Sequence, residues 1–517
     1  MKRFRLLFLS VLLLIAPASF SQYGELDSDF SDDGKVLTTF GEFHSSVRSL
    51  VIQPDGKILA AGDMFDSNRP FSQFALARYN NEGLLDEEFG DMGTMIENSG
   101  AQMHLHSMSL HHDDKILVAG VEFRHKNKTS VSLLKRYNPK GSVDESFGIG
   151  GTVVVNSIYS TSMAVQEDGK IILAGYSVNH FFKPNNYVLM LIRFNSNGTL
   201  DESFGIKGVV QTKIKGLGAQ VVVAVQSDNK IVVSSDVLGI NDRDIIVLRY
   251  LSNGFLDNDF GSKGIAVVYA KYDNEAEAVK IQPLDGKIII GGTSQQPLAS
   301  SFFVMCLLPN GNPDSSFGDA GGAMPSAGVT EQLKSVVLQT DGMIVASGVS
   351  RDLKTENIIL KRYRSDGELD LTFGKDGVVI TDFDLRSAAA IVAMQPDGKI
   401  VAGAYAGGSL KVDFALLRYI SGLKIEEGFT NEKNTFSVSP NPVDKTVNLA
   451  FNLKHSQGLT VDLYDFNGRK IQNVLQQQEF PAGTHSHAIE LPENLTKGIY
   501  FLNISNGKSI SNLKIVK

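Results

Sequence analysis

The chain has 517 residues, with 49 basic against 57 acidic side chains, a net charge of −8, one cysteine and no tryptophan. That balance leaves no basic stripe or patch of the kind that grips nucleic acid. The lone Cys306 excludes an intrachain disulfide, so the fold must rest on packing.

A targeting segment comes first. Lys2, Arg3 and Arg5 precede an apolar run from Leu6 to Ile15, and the small residues Ser19 and Ser21 suit cleavage before Gln22. This predicts a signal peptide over residues 1–21. The run is too short to stay in a bilayer as a permanent helix, and no later stretch matches it in apolar length. The mature chain is expected to be exported and soluble, without a transmembrane helix.

Beyond it the chain repeats. Gln53-Pro54-Asp55-Gly56-Lys57-Ile58-Leu59-Ala60-Ala61-Gly62 returns nearly intact from Gln166 and from Gln395, and in weaker form around Asp113, Asp228, Asp285 and Asp341. The copies stand about 57 residues apart. A second landmark, Leu85-Asp86-Glu87-Glu88-Phe89-Gly90, recurs in step with it, its earliest copy being Leu26-Asp27-Ser28-Asp29-Phe30. Within a unit, Val47 to Gln53 reads as a strand. Asp55-Gly56 then predicts a type I′ hairpin turn with positive φ at both central residues. Ile58 to Ala61 is a continuous apolar run, suited to a strand buried on both faces. Phe74 to Tyr79 is a third strand, and a short one such as Val153 to Val155 starts the next unit. Four strands per unit is the count of a propeller blade.

The array begins mid-unit at Leu26-Asp27 and ends mid-unit at Leu416-Leu417-Arg418-Tyr419. An open solenoid would carry atypical capping repeats. Here each end supplies what the other lacks. The reading is an all-β, seven-bladed β-propeller over residues 22–422, its N-terminal segment completing the ring. These landmarks resemble the delta-60 repeat family of bacterial surface proteins, over roughly residues 26–420. That resemblance implies a propeller and carries no defined activity.

Some repeated residues look structural. Arg78, Arg136, Arg193, Arg249, Arg362 and Arg418 share one slot, and five of them have an Asp eight residues on. A charge-assisted hydrogen bond from this Arg to the Leu-Asp joint is expected, with Arg418 reaching Asp27 across the closure. Cys306 fills the same slot in the fifth unit and is expected to be a packed substitute, not a nucleophile. The Asp of each Leu-Asp joint is expected to cap a turn.

Residues 423–434 are polar and charged and read as a linker. From 435 to 517 a new pattern predicts a small β-sandwich: Phe436 and Val438 alternate, then Val447, Leu449, Phe451 and Leu453, with later strands at Val461–Tyr464, Gly498–Ile504 and Leu513–Val516. Pro440-Asn441-Pro442, Asp465-Phe466-Asn467-Gly468-Arg469, Leu495-Thr496-Lys497-Gly498-Ile499-Tyr500 and the closing Lys514-Ile515-Val516-Lys517 resemble the type A C-terminal sorting domain of the type IX secretion system. The resemblance implies the secretion machinery as partner and a cell-surface or secreted location. It also implies an origin in the Bacteroidetes.

No phosphate loop, nucleophile elbow or paired-cysteine metal motif is present. No cofactor is expected. Function then falls to what does not repeat. The loops opposite the Asp-Gly turns carry Phe65, Phe71, Phe123, Arg124, His180, Phe181, Phe182 and Tyr187, aromatics beside amides and cations that suit a glycan or protein. His104 and His106 share a strand face and are weak candidates for a metal. The expected function is non-catalytic binding of glycan or protein. The alternatives are a polysaccharide-acting enzyme, which would carry carboxylates or histidines in non-repeating positions lining the channel, and a structural envelope protein.

Overall fold

The computed structural model describes residues 23–517 apart from 67–71, 98–101, 125–128, 178–186, 240–241, 269–271, 284, 298, 325–328, 353–354, 384–385, 409–410, 423–428, 431–434, 440–442, 454–455, 466–469, 494, 497 and 506–509. Seven four-stranded antiparallel sheets occupy residues 35–419, and two more occupy residues 429–516. The first sheet runs His44–Ile52, Ile58–Phe65, Ser72–Tyr79, Thr94–Glu97. The seventh combines Arg386–Met394, Ile400–Gly407 and Val412–Tyr419 with Lys35–Thr38 from the other end of the array, Val36 opposite Leu416 and Thr38 opposite Phe414. The short strand Thr152–Val155 pairs with Thr129–Tyr137 as the outer edge of its own sheet. It ends one unit; the expectation that it starts the next is corrected.

The first strands of successive sheets abut one another, and Arg386–Met394 abuts His44–Ile52. The arrangement is propeller-like, with these strands innermost. Each second strand has a neighbouring sheet on both faces, which explains its unbroken apolar run. Leu59 and Ala61 pack with Met103, Met108 and Ile116 of the second sheet. Ile58 and Ala60 pack the other way, with Val401, Phe414 and Leu416 of the seventh.

The hairpin turn differs from the expected type I′. Gly56 has φ of 89°, but Asp55 is not among the positive-φ residues. Gly56 N–H donates to the Gln53 carbonyl at 2.9 Å, and Gln53 N–H to the Lys57 carbonyl at 2.8 Å. A three-residue loop, one turn followed by a left-handed residue, makes this pattern. The Asp contributes its side chain instead: Asp55 Oδ1 accepts from Lys57 N–H at 3.1 Å. In the second unit Asp113 and Asp114 are both left-handed, within a short 3-10 turn at His112–Asp114.

Every innermost strand carries a bulge. Register shifts between Val47 and Ser49, Leu105 and Ser107, Ser160 and Ser162, Ala276 and Ala278, and Leu333 and Ser335 each leave one residue unpaired. A glycine stands opposite. A Cβ on Gly175 would lie 2.0 Å from the Tyr159 carbonyl oxygen, so the motif ends in glycine because the bulged backbone occupies that space.

The arginine slot latches neighbouring sheets. Arg136 Nε donates to Asp144 Oδ2 at 2.7 Å, and Arg193 Nε to Asp201 Oδ2 at 2.8 Å. Each guanidinium also donates to a backbone carbonyl of the next unit, as Arg78 Nη1 does to Pro139 at 2.6 Å, and lies over the phenylalanine of its own Leu-Asp joint. Arg418 makes the same latch to Asp27 at 2.6 Å, and over Phe30 at 4.6 Å, from opposite ends of the array. The joint aspartates cap their turns, with Asp144 Oδ1 accepting from Ser146 N–H at 3.2 Å. Cys306 is buried with Sγ 3.8 Å from Asp314 Oδ2, and burial pushes its thiol up to about 12, which leaves it a packed thiol.

In the last two sheets, Val447, Leu449, Phe451 and Leu453 all face one apolar cluster with Leu463, Leu502 and Ile515. Two strands escaped the sequence reading, Lys470–Phe480 and Gly483–Glu490, where polar residues interrupt the alternation. Phe429–Thr430, placed in the linker by composition, pairs with Thr435 and Phe436. Among the described residues no helix is long and apolar enough to cross a membrane.

Candidate functional site at the centre of the sheets

The residues left unpaired by the bulges are Arg48, His106, Thr161, Glu277 and Lys334. One structural slot thus holds five different chemistries, in a chain whose other slots repeat. A second slot behaves likewise. It follows the glycine or small residue on each second strand and holds Asp63, Val121, Tyr176, Asp236, Thr293, Val349 and Tyr405. Both slots lie toward the end of the sheets that bears the variable loops.

On one side Tyr176 joins neighbouring strand and loop residues in an aromatic row. His104 meets Phe123 edge-on at 5.5 Å, Phe123 lies 6.4 Å from Tyr159, Tyr159 stacks on Tyr176 at 5.2 Å, and Tyr176 meets Tyr187 at 4.5 Å. His106 packs on Tyr159 at 5.8 Å. Buried Asp63 anchors this row. It accepts from Leu105 N–H at 2.8 Å and lies 3.2 Å from Arg48 Nε and 3.4 Å from His104 Nδ1. Desolvation brings His106 down to about 4 despite the carboxylate of Asp63, so its ring is neutral at physiological pH.

The other side is ionisable. Glu277 is pushed up to about 7 by burial, with Lys334 at 3.8 Å opposing the shift and Glu275 and Asp236 reinforcing it. Asp236 is also raised, because burial outweighs its 2.6 Å pair with Arg243 Nη1. Lys361 and Glu331 form a buried pair at 2.7 Å. A carboxyl that titrates near neutrality can donate or accept a proton at working pH.

Four of the sequence-predicted loop residues are described. Phe123 and Tyr187 join the aromatic row. Phe65 stacks on His44 at 4.8 Å and stays exposed. Arg124 is held back by Glu122 on its own strand at 2.8 Å. Phe71, His180, Phe181 and Phe182 lie outside the described residues, as do Pro440, Asn441, Pro442 and Gly468. His104 lies by Asp63 and Phe123 and His106 packs on Tyr159, with Met103 and Leu105 turned to the core on the other side of the strand. Among the described residues no group of three or more His, Cys, Asp or Glu converges to hold a metal ion.

The fold and these slots define an all-β, propeller-like repeat protein with a separate C-terminal module. Family models agree at both levels. The domain of unknown function DUF5122, a β-propeller, matches six times, at residues 53–89, 112–147, 166–204, 226–260, 284–317 and 339–373. The secretion system C-terminal sorting domain matches residues 437–517. The chain carries both, and the sorting domain indicates export, to the cell surface or beyond it. No curated protein matches the chain. Among solved structures it is similar to the β-propeller domain of the trilobed protease from Pyrococcus furiosus (10% identity, 74% of this chain and 94% of that one, TM-score 0.41). It is also similar to the polysaccharide lyase Uly1 (12%, 79% and 93%, 0.35) and the NanB sialidase from Streptococcus pneumoniae (10%, 75% and 70%, 0.36). These likenesses are too distant to carry any argument about the site.

Proposed function

We propose that the protein is an exported glycan-binding propeller, its seven sheets closing as seven blades and its ligand seated at the loop-side mouth of the central channel. The observation that carries this reading is the aromatic row from Phe123 through Tyr159 and Tyr176 to Tyr187, beside ionisable groups in slots that do not repeat. Aromatic faces take up the apolar faces of sugar rings, and neighbouring carboxylates and amides take their hydroxyls. Residues 1–21 act as the signal peptide, and the β-sandwich of residues 435–517 directs type IX secretion to the cell surface, joined by the linker at 423–434.

The test is a glycan array with purified residues 22–517, repeated with Tyr176→Ala. Binding that falls at least tenfold in the variant supports the reading. Full binding by the variant, or an array with no hits, overturns it. A second reading rests on Glu277, whose neutral-range carboxyl suits proton transfer to or from a polysaccharide. Reducing-end release on any bound glycan, lost in Glu277→Gln, would turn the binding protein into an enzyme.

A further inference from the structure

The two ends of the sheets turn their ion pairs in opposite directions. At the Asp-Gly end, five units pair the turn aspartate with the lysine two residues on, and in each pair the carboxylate is the more exposed partner. The Asp168 side chain is 51% exposed there and that of Lys170 31%. At the loop end the order reverses. Arg48 meets Asp63 at 3.2 Å, Arg124 meets Glu122 at 2.8 Å, Arg243 meets Asp236 at 2.6 Å, Lys334 meets Glu277 at 3.8 Å and Arg351 meets Glu356 at 2.8 Å. In all five the cation is the more exposed partner, with Arg48 at 49% against 6% for Asp63.

Side-chain length does not account for this reversal. Lysine is the longer partner at the Asp-Gly end too, yet there it turns inward to a second carboxylate, as Lys57 does to Asp86 at 2.9 Å. The repeat does not account for it either. Its copies set the Asp and Lys of each turn, whereas the loop-end pairs arise at unrelated strand positions. Arg48 is a bulge residue, Arg124 and Arg351 end their strands, and Arg243 starts one. Two of these pairs flank the aromatic row. Asp63, beneath Arg48, also lies 3.4 Å from His104, and Arg124 follows Phe123 in the chain. A guanidinium has five N–H donors. Arg48 gives its Nε to Asp63 and Arg124 its Nε to Glu122, which leaves N–H groups on the exposed side for a second anion. The carboxylate beneath fixes the planar fork, and that fork matches a carboxylate or a sulfate in two bonds.

We propose that the glycan taken at the loop-side mouth is acidic, its ring faces on the aromatic row and its anionic groups, uronate carboxylates or sulfate esters, on Arg48 and Arg124. The proposal rests on the glycan-binding reading above and adds the charge of the ligand to it. The chain as a whole carries a net charge of −8, so an acidic polymer is repelled by most of its surface. The outward cations of the loop end and the outward carboxylates of the Asp-Gly end together direct such a polymer to one end of the sheets.

Calorimetric titration of residues 22–517 tests this, with oligouronates and sulfated oligosaccharides set against their carboxyl-reduced and desulfated counterparts of equal length. At least one acidic probe is expected to bind ten times or more tighter than its neutral counterpart, and less tightly as salt is added. The uronate and sulfate arms show which anion is read. Arg48→Gln and Arg124→Gln should each lose at least fivefold in affinity for that probe. Arg124 ends its strand, so the second variant carries the test if the first does not fold. Asp168→Asn, at the opposite end, should change nothing. Equal affinity for acidic and neutral probes, falling in Tyr176→Ala, would leave glycan binding standing and overturn the acidic ligand. Undiminished acidic binding in folded Arg48→Gln and Arg124→Gln would overturn it as well. Silence from every probe, acidic and neutral, would overturn it together with the glycan-binding reading.

Discussion

Arg418→Met tests how the array is closed. Arg418 is 3% exposed; its Nε holds Asp27 at 2.6 Å and its Nη1 donates to the Asn81 carbonyl. Breaking a buried ion pair by removing one partner costs about 3–5 kcal/mol. Here Lys399 remains 2.8 Å from Asp27 and softens the loss, so the lower end, about 3 kcal/mol, is expected. Arg193→Met removes the same latch within one unit, where Asp201 lies eight residues away. The two variants should cost similar amounts in urea unfolding, but only Arg418→Met should free Lys35–Thr38 and open the exposed turn near Asp32 to protease. The pH dependence has a definite sign. Burial works against the charged form of Asp27, but Lys399 and Arg418 outweigh it and lower its pKa below 3.8. The latch therefore contributes fully above about pH 4 and fades as pH falls through the lowered value, where wild type and variant should converge. A cost under about 1 kcal/mol at pH 7 with no new cleavage would refute the closure argument.

Two further perturbations separate the repeated scaffold from the variable slots. Gly175→Ala would set a Cβ 2.0 Å from the Tyr159 carbonyl oxygen, so the bulge must shift; a loss of more than about 2 kcal/mol is expected in urea titration, and a loss within 0.5 would contradict the packing given for the motif. Glu277→Gln should raise stability at pH 8. The folded carboxyl titrates near 7 against 4.5 when free, so the native state loses stability as pH rises between those values, by about 3 kcal/mol in all. The variant should flatten that slope, and an unchanged slope would place the proton elsewhere.

The scaffold was legible because the repeat reports it many times over. Seven copies of one hairpin and one joint mark the three long strands of each unit, the short outer strand alone being set in the wrong unit, and the eight-residue spacing of Arg193 and Asp201 marks the latch. The turn type was not legible, because Asp-Gly alone does not say whether Asp55 or only Gly56 takes positive φ, and the preceding Pro54 belongs to the loop as well. The site was legible only in part. Phe123 and Tyr187 stood out as loop aromatics. Arg48, Asp63, Tyr159, Tyr176, Asp236 and Glu277 sit within strands and passed as strand residues. Part of the signal was positional: Asp63 and Tyr176 follow the glycine of an Ala-Gly motif, and Arg48, His106 and Thr161 lie 14 residues before Gly62, Gly120 and Gly175. A bulge cannot be read from alternation, because it is the point where alternation fails.

The bulge also explains how such a regular fold can carry a specific function. A repeated latch of Arg, Asp and Phe satisfies the joint of each unit and leaves little freedom there. In five of the seven sheets one extra residue on the innermost strand has no partner across the ladder. It can change from arginine to histidine to glutamate to lysine without moving the sheet. On the proposed glycan-binding reading, stability and recognition fall to different positions of the same unit. The raised carboxyl of Glu277 is the clearest case, since a threonine holds the equivalent place in the third sheet and the glutamate is expected to weaken the fold above neutrality. On the proposed reading, a ligand at the channel mouth is what a glutamate serves in a slot that elsewhere takes a neutral residue.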